Sequence, residues 1–241
     1  FGSARDGGGF NRRIRRAGAR PGTRPRPYQP AVPFEVGAVL GCAVVTGMGA
    51  ALNTADIHPG QAVAVIGCGG VGLNVIQGAR LRGAGRIIGI DLSKGRLERA
   101  TLFGATDTID ASGADALQQL AAIIPEGVDH AFEVVGAELT TNQALRMLAP
   151  GGSAYVIGAA PKLIPLAMIS AQELLAGGKT IRGVYAGSTR FKHEVPAYAD
   201  MYLRGLIQVD PLISERISLT DITNSYRQHD NSDSARAVLV F

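Results

Sequence analysis

The 241 residues are 46% hydrophobic and 18% charged, with two cysteines and a formal net charge of +4. That composition suits one large folded domain with room for a small appendage, and two cysteines exclude a disulfide framework. No run approaches the roughly 18 apolar residues of a membrane helix, so no membrane partner is expected, and the sparse cysteine usage fits a reducing, cytoplasmic location.

The positive charge is local. Residues 1–30 hold eight arginines against the single acid Asp6, and the remainder has 16 basic and 19 acidic residues. The tail is rich in Gly and Pro and poor in apolar side chains, which predicts disorder over 1–30. Arg12, Arg13, Arg15 and Arg16 suggest a twin-arginine signal or a nucleic-acid arm, but no apolar stretch of signal length follows and no aromatics interleave with them. Nucleic acid is therefore an unlikely partner.

Apolar runs at 62–66, 86–90, 106–109, 128–134, 153–157 and 180–185 predict six strands. Helical patterns at 71–81, 94–103, 114–124, 139–148 and 169–175 lie between them. Gly67-Cys68-Gly69-Gly70-Val71-Gly72 joins the first strand to the first of these helices. In such a turn one glycine permits the tight bend, one lets the backbone approach a pyrophosphate, and one allows close helix packing. The phosphates would then meet free N–H groups at the positive end of a helix. A glycine-rich turn can also be purely structural, but here the second strand ends in Asp91, 22 residues beyond Gly69, where an acid can accept from both ribose hydroxyls of an adenosine. Further along, Ser93 and Ser112 stand at N-cap positions, the latter completed by Asp115 in an S-x-x-D box, while Gly104, Gly127 and Gly151 act as stop signals. Alternation of strands and helices predicts a Rossmann-type doubly wound α/β fold, a six-stranded parallel sheet in the order 3-2-1-4-5-6.

These segments resemble the zinc-type medium-chain alcohol dehydrogenases, with the class III, formaldehyde-dehydrogenase-like branch nearest. The resemblance runs through Pro33-Phe34-Glu35, Leu40-Gly41-Cys42-Ala43-Val44-Val45-Thr46-Gly47, the glycine turn, Ile87-Ile88-Gly89-Ile90-Asp91, Phe103-Gly104-Ala105-Thr106, residues 129–136 and the closing stretch 236–241, and covers residues 32–241. It implies NAD-dependent interconversion of alcohols and aldehydes, with a catalytic zinc as Lewis acid and hydride transfer to the nicotinamide. It also implies a small-molecule alcohol or aldehyde substrate and a homodimer formed through the sixth strand.

The same resemblance assigns residues. Cys42 matches the last catalytic zinc ligand, its alternative reading being a buried structural thiol. Cys68 matches no ligand and reads as a packing residue. Gly67, Gly69, Gly70, Val71 and Gly72 would hold the dinucleotide, and Asp91 its adenosine ribose. Arg96 would flank the adenine or ribose, unless it belongs to a solvated helix face. Thr46 would contact the nicotinamide end, Ile157, Gly158 and Ala159 its carboxamide, and Arg236 the pyrophosphate. Asp91 would repel a ribose 2′-phosphate, favouring NAD, while Lys94 and Arg96 leave NADP open.

The departure from the family is large. Most of the N-terminal catalytic domain is absent from this chain, and with it all but one of the three zinc ligands and the proton-relay hydroxyl, so no catalytic set is complete. His58, His130, His193 and His229 match no ligand position and read as surface or helix-end residues. The expected organisation is an Arg/Gly/Pro-rich tail at 1–30, a catalytic-domain remnant at 31–45, an NAD-binding Rossmann domain at 46–185 and a returning C-terminal segment at 186–241. Three functions fit this: a truncated oxidoreductase, a catalytically inactive dinucleotide-binding module, or an Arg-tailed adaptor for nucleic acid.

Overall fold

The computed structural model describes residues 31–159, 170–224 and 235–240, so the arginine-rich tail and His229 lie outside the described residues. A long helix, α1, runs from Phe34 to Thr54. It crosses residue 45 without interruption and includes two π-turns, Leu40–Val44 and Ala50–Thr54. By length and composition α1 could cross a membrane, against the expectation that no segment would. In the fold 61% of the qualifying stretch is buried by the rest of the chain. Its packing is glycine-mediated: a methyl at Gly47 would meet the Val71 carbonyl oxygen at 2.3 Å, and one at Gly78 would meet Ala51 Cβ at 2.6 Å. Carbonyls at the end of α1 are taken by guanidiniums, Leu52 O by Arg82 and Thr54 O by Arg182. Cations at a helix C-terminus also oppose its dipole.

Six parallel strands follow: β1 Ala62–Ile66, β2 Arg86–Asp91, β3 Asp107–Asp110, β4 Val128–Glu133, β5 Leu148–Val156 and β6 Thr180–Gly183, in the expected order β3-β2-β1-β4-β5-β6. The interleaved helices are α2 Gly70–Leu81, α3 Lys94–Phe103, α4 Ala116–Ile123, α5 Glu138–Arg146 and α6 Ala171–Gly177. Side chains of α1, α2 and α3 pack in a core on one sheet face, and those of α4 and α5 in a core on the other. Burial on both faces is what makes β1 apolar at every position, where a one-sided sheet would alternate. Beyond β6, α7 (Phe191–Leu203) packs on α1, and β7 (Ile213–Ile217) pairs in parallel with β8 (Arg236–Leu239). An Arg216–Glu35 ion pair at 2.7 Å ties this small sheet to the start of α1.

Several local expectations need correction. Ser93 caps α3 and Gly104 closes it at φ 114°, as expected, but Ser112 is not a helix cap. Asp115 itself caps α4, its carboxylate accepting from the Leu117 N–H at 2.9 Å, while the Ser112 N–H and hydroxyl both donate to Asp110. Helix α6 begins at Ala171, because Ser170 and Glu173 form a capping box there. Strand β5 begins at Leu148, five residues before the expected start. His130 is a buried residue of β4 and not a surface one. Its Nε2 lies 3.0 Å from Gln61 Oε1, its Nδ1 lies 3.2 Å from Tyr155 Oη, and its ring stacks on that of Tyr155.

Candidate functional site

A cavity of about 720 Å³ opens where the strand order reverses, beyond the carboxyl ends of β1, β2 and β4. Its floor is the turn from β1 to α2. Gly67 has φ 99°, a conformation that only glycine adopts without strain, and its N–H donates to Ile90 O at 2.8 Å. A methyl at Gly72 would come within 1.8 Å of Gly67 O, so helix and strand meet at backbone distance. Gly69, at the N-cap of α2, makes no side-chain cap and has nothing within 4 Å of where a Cβ would stand. The first amides of α2, those of Gly70, Val71 and Gly72, have no partner within their helix and lie at its positive end.

Asp91 ends β2 beside this turn, with its side chain buried. Oδ2 accepts from the Cys68 N–H at 2.7 Å and Oδ1 from the Ser93 N–H at 3.0 Å, so the carboxylate joins the glycine turn to the start of α3. Arg96 Nη1 lies 3.9 Å from Asp91 Oδ1, which places Arg96 in the cavity wall and not on a solvated helix face. Cys68 is buried, and burial together with the neighbouring Asp91 pushes its thiol up to about 12. Such a thiol stays protonated and inert near neutrality, as a packing residue should. Arg236, the first residue of β8, returns to the turn: a methyl at Gly70 would lie 2.8 Å from Arg236 Cζ. Its Nη1 donates to Ala235 O at 2.7 Å, which holds the guanidinium in place.

Of the residues expected from the sequence, the cavity thus gathers Gly67, Gly69, Gly70, Val71, Gly72, Asp91, Arg96 and Arg236. It does not include Thr46, Ile157, Gly158, Ala159 or Cys42. Thr46 is half-buried on α1, and Ile157 to Ala159 follow β5, with Ala159 exposed. Cys42 is exposed in the first π-turn of α1, so it is not a buried structural thiol. Sequence reasoning missed Leu92, Asp115, Val135, Leu139, Thr140 and Gln143, which also line the cavity. Their signal was positional: Leu92 and Val135 follow the ends of the two strands flanking β1, where open α/β sheets take ligands.

From the sequence, Cys42 is one ligand of an incomplete zinc site. A catalytic zinc takes three protein ligands and an open position. Among the described residues no group of three His, Cys, Asp or Glu side chains is placed to hold a metal. The described residues therefore do not fit that ion.

The profile of the zinc-binding dehydrogenase family matches residues 70–204. The chain is 35% identical over 222 residues to an alcohol dehydrogenase class-3 of Cereibacter sphaeroides, covering 88% of this chain and 58% of that protein. The benzyl alcohol dehydrogenase of Acinetobacter calcoaceticus superposes with a TM-score of 0.82 at 31% identity, covering 88% of this chain and 58% of its own. A zinc-binding dehydrogenase from Sinorhizobium meliloti 1021 bound to NADP superposes with a TM-score of 0.73 at 25% identity, over 83% and 58% of the two chains. The chain spans little more than half the length of the relatives it matches. On fold, profile and sequence together, it belongs to the zinc-binding dehydrogenase family.

Proposed function

We propose that this chain is the dinucleotide-binding portion of an NAD-dependent alcohol or aldehyde oxidoreductase. The observation that carries the reading is the convergence of three groups on one cleft: the glycine turn with the amides of α2, the buried Asp91, and Arg236 brought back from the far end of the sequence. A pyrophosphate would lie across Gly69, where the backbone is bare, between the α2 amides and the Arg236 guanidinium. The ribose would meet Asp91, whose oxygens each retain acceptor capacity after accepting one amide. Leu92, Val135 and Leu139, all more than half exposed, supply apolar walls that a flat base would cover.

When bound, a nicotinamide dinucleotide supplies the hydride-transfer chemistry. Asp91 favours NAD because a 2′-phosphate would bring a second negative charge to a buried carboxylate. The NADP held by the S. meliloti relative marks the competing outcome. Titration of the chain with NADH and NADPH, followed by cofactor fluorescence, tests the reading. Tighter binding of NADH is the expected result, and equal or tighter NADPH binding contradicts the role given to Asp91.

A second reading, a binding module without catalysis of its own, is favoured by the isolation of Cys42, since no metal site forms around it among the described residues. Either reading includes a homodimer through β6. That strand lies at the sheet edge, with Thr180, Arg182 and Gly183 exposed.

A further inference from the structure

Glu133 ends β4 and is fully buried. Its Oε1 accepts three hydrogen bonds, from the Val135 N–H at 2.8 Å, the Gly136 N–H at 2.7 Å and the Thr140 hydroxyl at 2.8 Å. Its Oε2 is buried and has no hydrogen-bond partner among the described residues. The main-chain carbonyl of the same residue accepts from the Ile157 N–H at 2.8 Å and the Gly158 N–H at 3.1 Å. One residue therefore holds two segments, the loop after β4 by its side chain and the end of β5 by its backbone.

The two segments also interlock directly. A methyl at Gly158 would stand 2.0 Å from Gly136 N, and one at Gly136 would stand 2.8 Å from the Ala159 carbonyl carbon. The loop after β4 lines the cavity through Val134, Val135 and Ala137, whereas the end of β5 lies beyond that lining. A ligand long enough to begin at Asp91, cross the turn and reach past the cavity lining to β5 would need both segments in register. Errors of about 1 Å in such supports weaken a site although every contact residue is present.

We infer that Glu133 is a positioning residue that joins the loop after β4 to the end of β5, so that the whole dinucleotide and not just its adenosine half is bound tightly. The inference rests on the dinucleotide reading above. All side-chain bonds are made through Oε1, so Glu133→Gln retains the acceptor, whereas Glu133→Ala takes it from the Val135 and Gly136 amides and leaves the Thr140 hydroxyl with the Ala137 carbonyl alone.

The test is the affinity of the unmodified chain and both variants for NADH and for AMP. Glu133→Ala is expected to raise the Kd for NADH at least about fivefold more than that for AMP, a differential of about 1 kcal/mol, and Glu133→Gln to return the ratio to that of the unmodified chain. Equal losses for both ligands, or a Gln variant no better than Ala, would overturn the proposal. If Glu133→Ala does not fold, hydrogen exchange in the unmodified chain decides instead. The amides of Val135, Gly136, Ile157 and Gly158 are then expected to open as one unit that NADH slows by a common factor; separate behaviour of the two pairs overturns the link. Failure of the unmodified chain to bind either ligand would refute the dinucleotide reading itself, and is distinct from both results.

Discussion

The glycines of the turn differ in what stands next to them, and that difference separates binding from folding. Gly69 has an extended backbone, φ −78° and ψ −169°, and open space where a side chain would go. Gly69→Val should therefore leave the free protein's Tm within about 2 °C, a change below about 1 kcal/mol, while abolishing NADH binding by occupying the pyrophosphate position. Gly72→Ala should do the opposite first, because its methyl would overlap the Gly67 carbonyl at 1.8 Å. Overpacking of that kind costs about 1–3 kcal/mol and should appear as a lowered Tm before any ligand is added. Parallel melting curves and NADH titrations check both. Asp91→Ala should shift the ratio of NADPH to NADH affinity toward NADPH by about tenfold, or about 1.4 kcal/mol, by removing the charge that opposes a 2′-phosphate. It should also lower Tm, since the amides of Cys68 and Ser93 lose their acceptor. Preserved discrimination in Asp91→Ala would show that another group sets it.

Among the elements, β4 is held at its start by a polar cluster far from the glycine turn in the sheet. Gln61 Oε1 accepts from the His58 N–H at 2.8 Å, so His130 Nε2 must be the donor in that pair, which leaves Nδ1 to accept from the Tyr155 hydroxyl. Burial holds the His130 pKa below its usual 6.5; Asp129 and Asp56 push the other way and His58 adds to the lowering. A histidine whose pKa is lowered by folding leaves stability intact above 6.5, and stability falls as the pH drops through that value toward the folded pKa, because the unfolded chain takes up the proton first. Urea titrations between pH 7.5 and about 5 should show this loss, and His130→Phe, which keeps the stacking on Tyr155, should flatten it. A slope unchanged in His130→Phe would assign the pH dependence elsewhere. His130 also shows where sequence reading stopped: in a strand covered on both faces a polar residue cannot be placed by alternation, and only its partners reveal that it is inside. Helix α1 escaped for the related reason that it is apolar nearly all round, so no 3.6-residue stripe marks it. By contrast the six strands, the glycine turn and Asp91 were legible because each obeys a local rule. The lining supplied by Leu92, Val135 and Thr140 was not, since it is assembled from segments that meet only after the sheet is ordered.

At the scale of the whole molecule, assembly and chemistry depend on surfaces that the sheet leaves open. Beyond the β6 edge strand, Tyr185 is exposed two residues after the strand ends, where pairing with a second copy across a twofold axis would cover it. Light scattering at micromolar concentration should report a dimer, and a monomer would remove β6 as the seam. Catalysis is a separate question of ligand count. The full sequence holds two cysteines and four histidines; Cys68 is buried with a thiol pushed up to about 12, and His130 is committed to Gln61 and Tyr155. Cys42 is thus left as an exposed thiol with no second and third ligand around it among the described residues. One thiolate cannot substitute for the three protein ligands of a catalytic zinc, and without a Lewis acid an alcohol keeps its proton near neutrality. This chain should therefore purify with well under one zinc per molecule and produce no NADH from simple alcohols or hydroxymethyl-thiol adducts, while still binding NADH. Cys42→Ala should leave the NADH Kd unchanged within about twofold, or about 0.4 kcal/mol. Metal analysis together with the NADH-production assay decides the matter: stoichiometric zinc with zinc-dependent turnover would assign Cys42 to a working metal site, and cofactor binding with neither would identify this chain as a binding portion that needs partners for its chemistry.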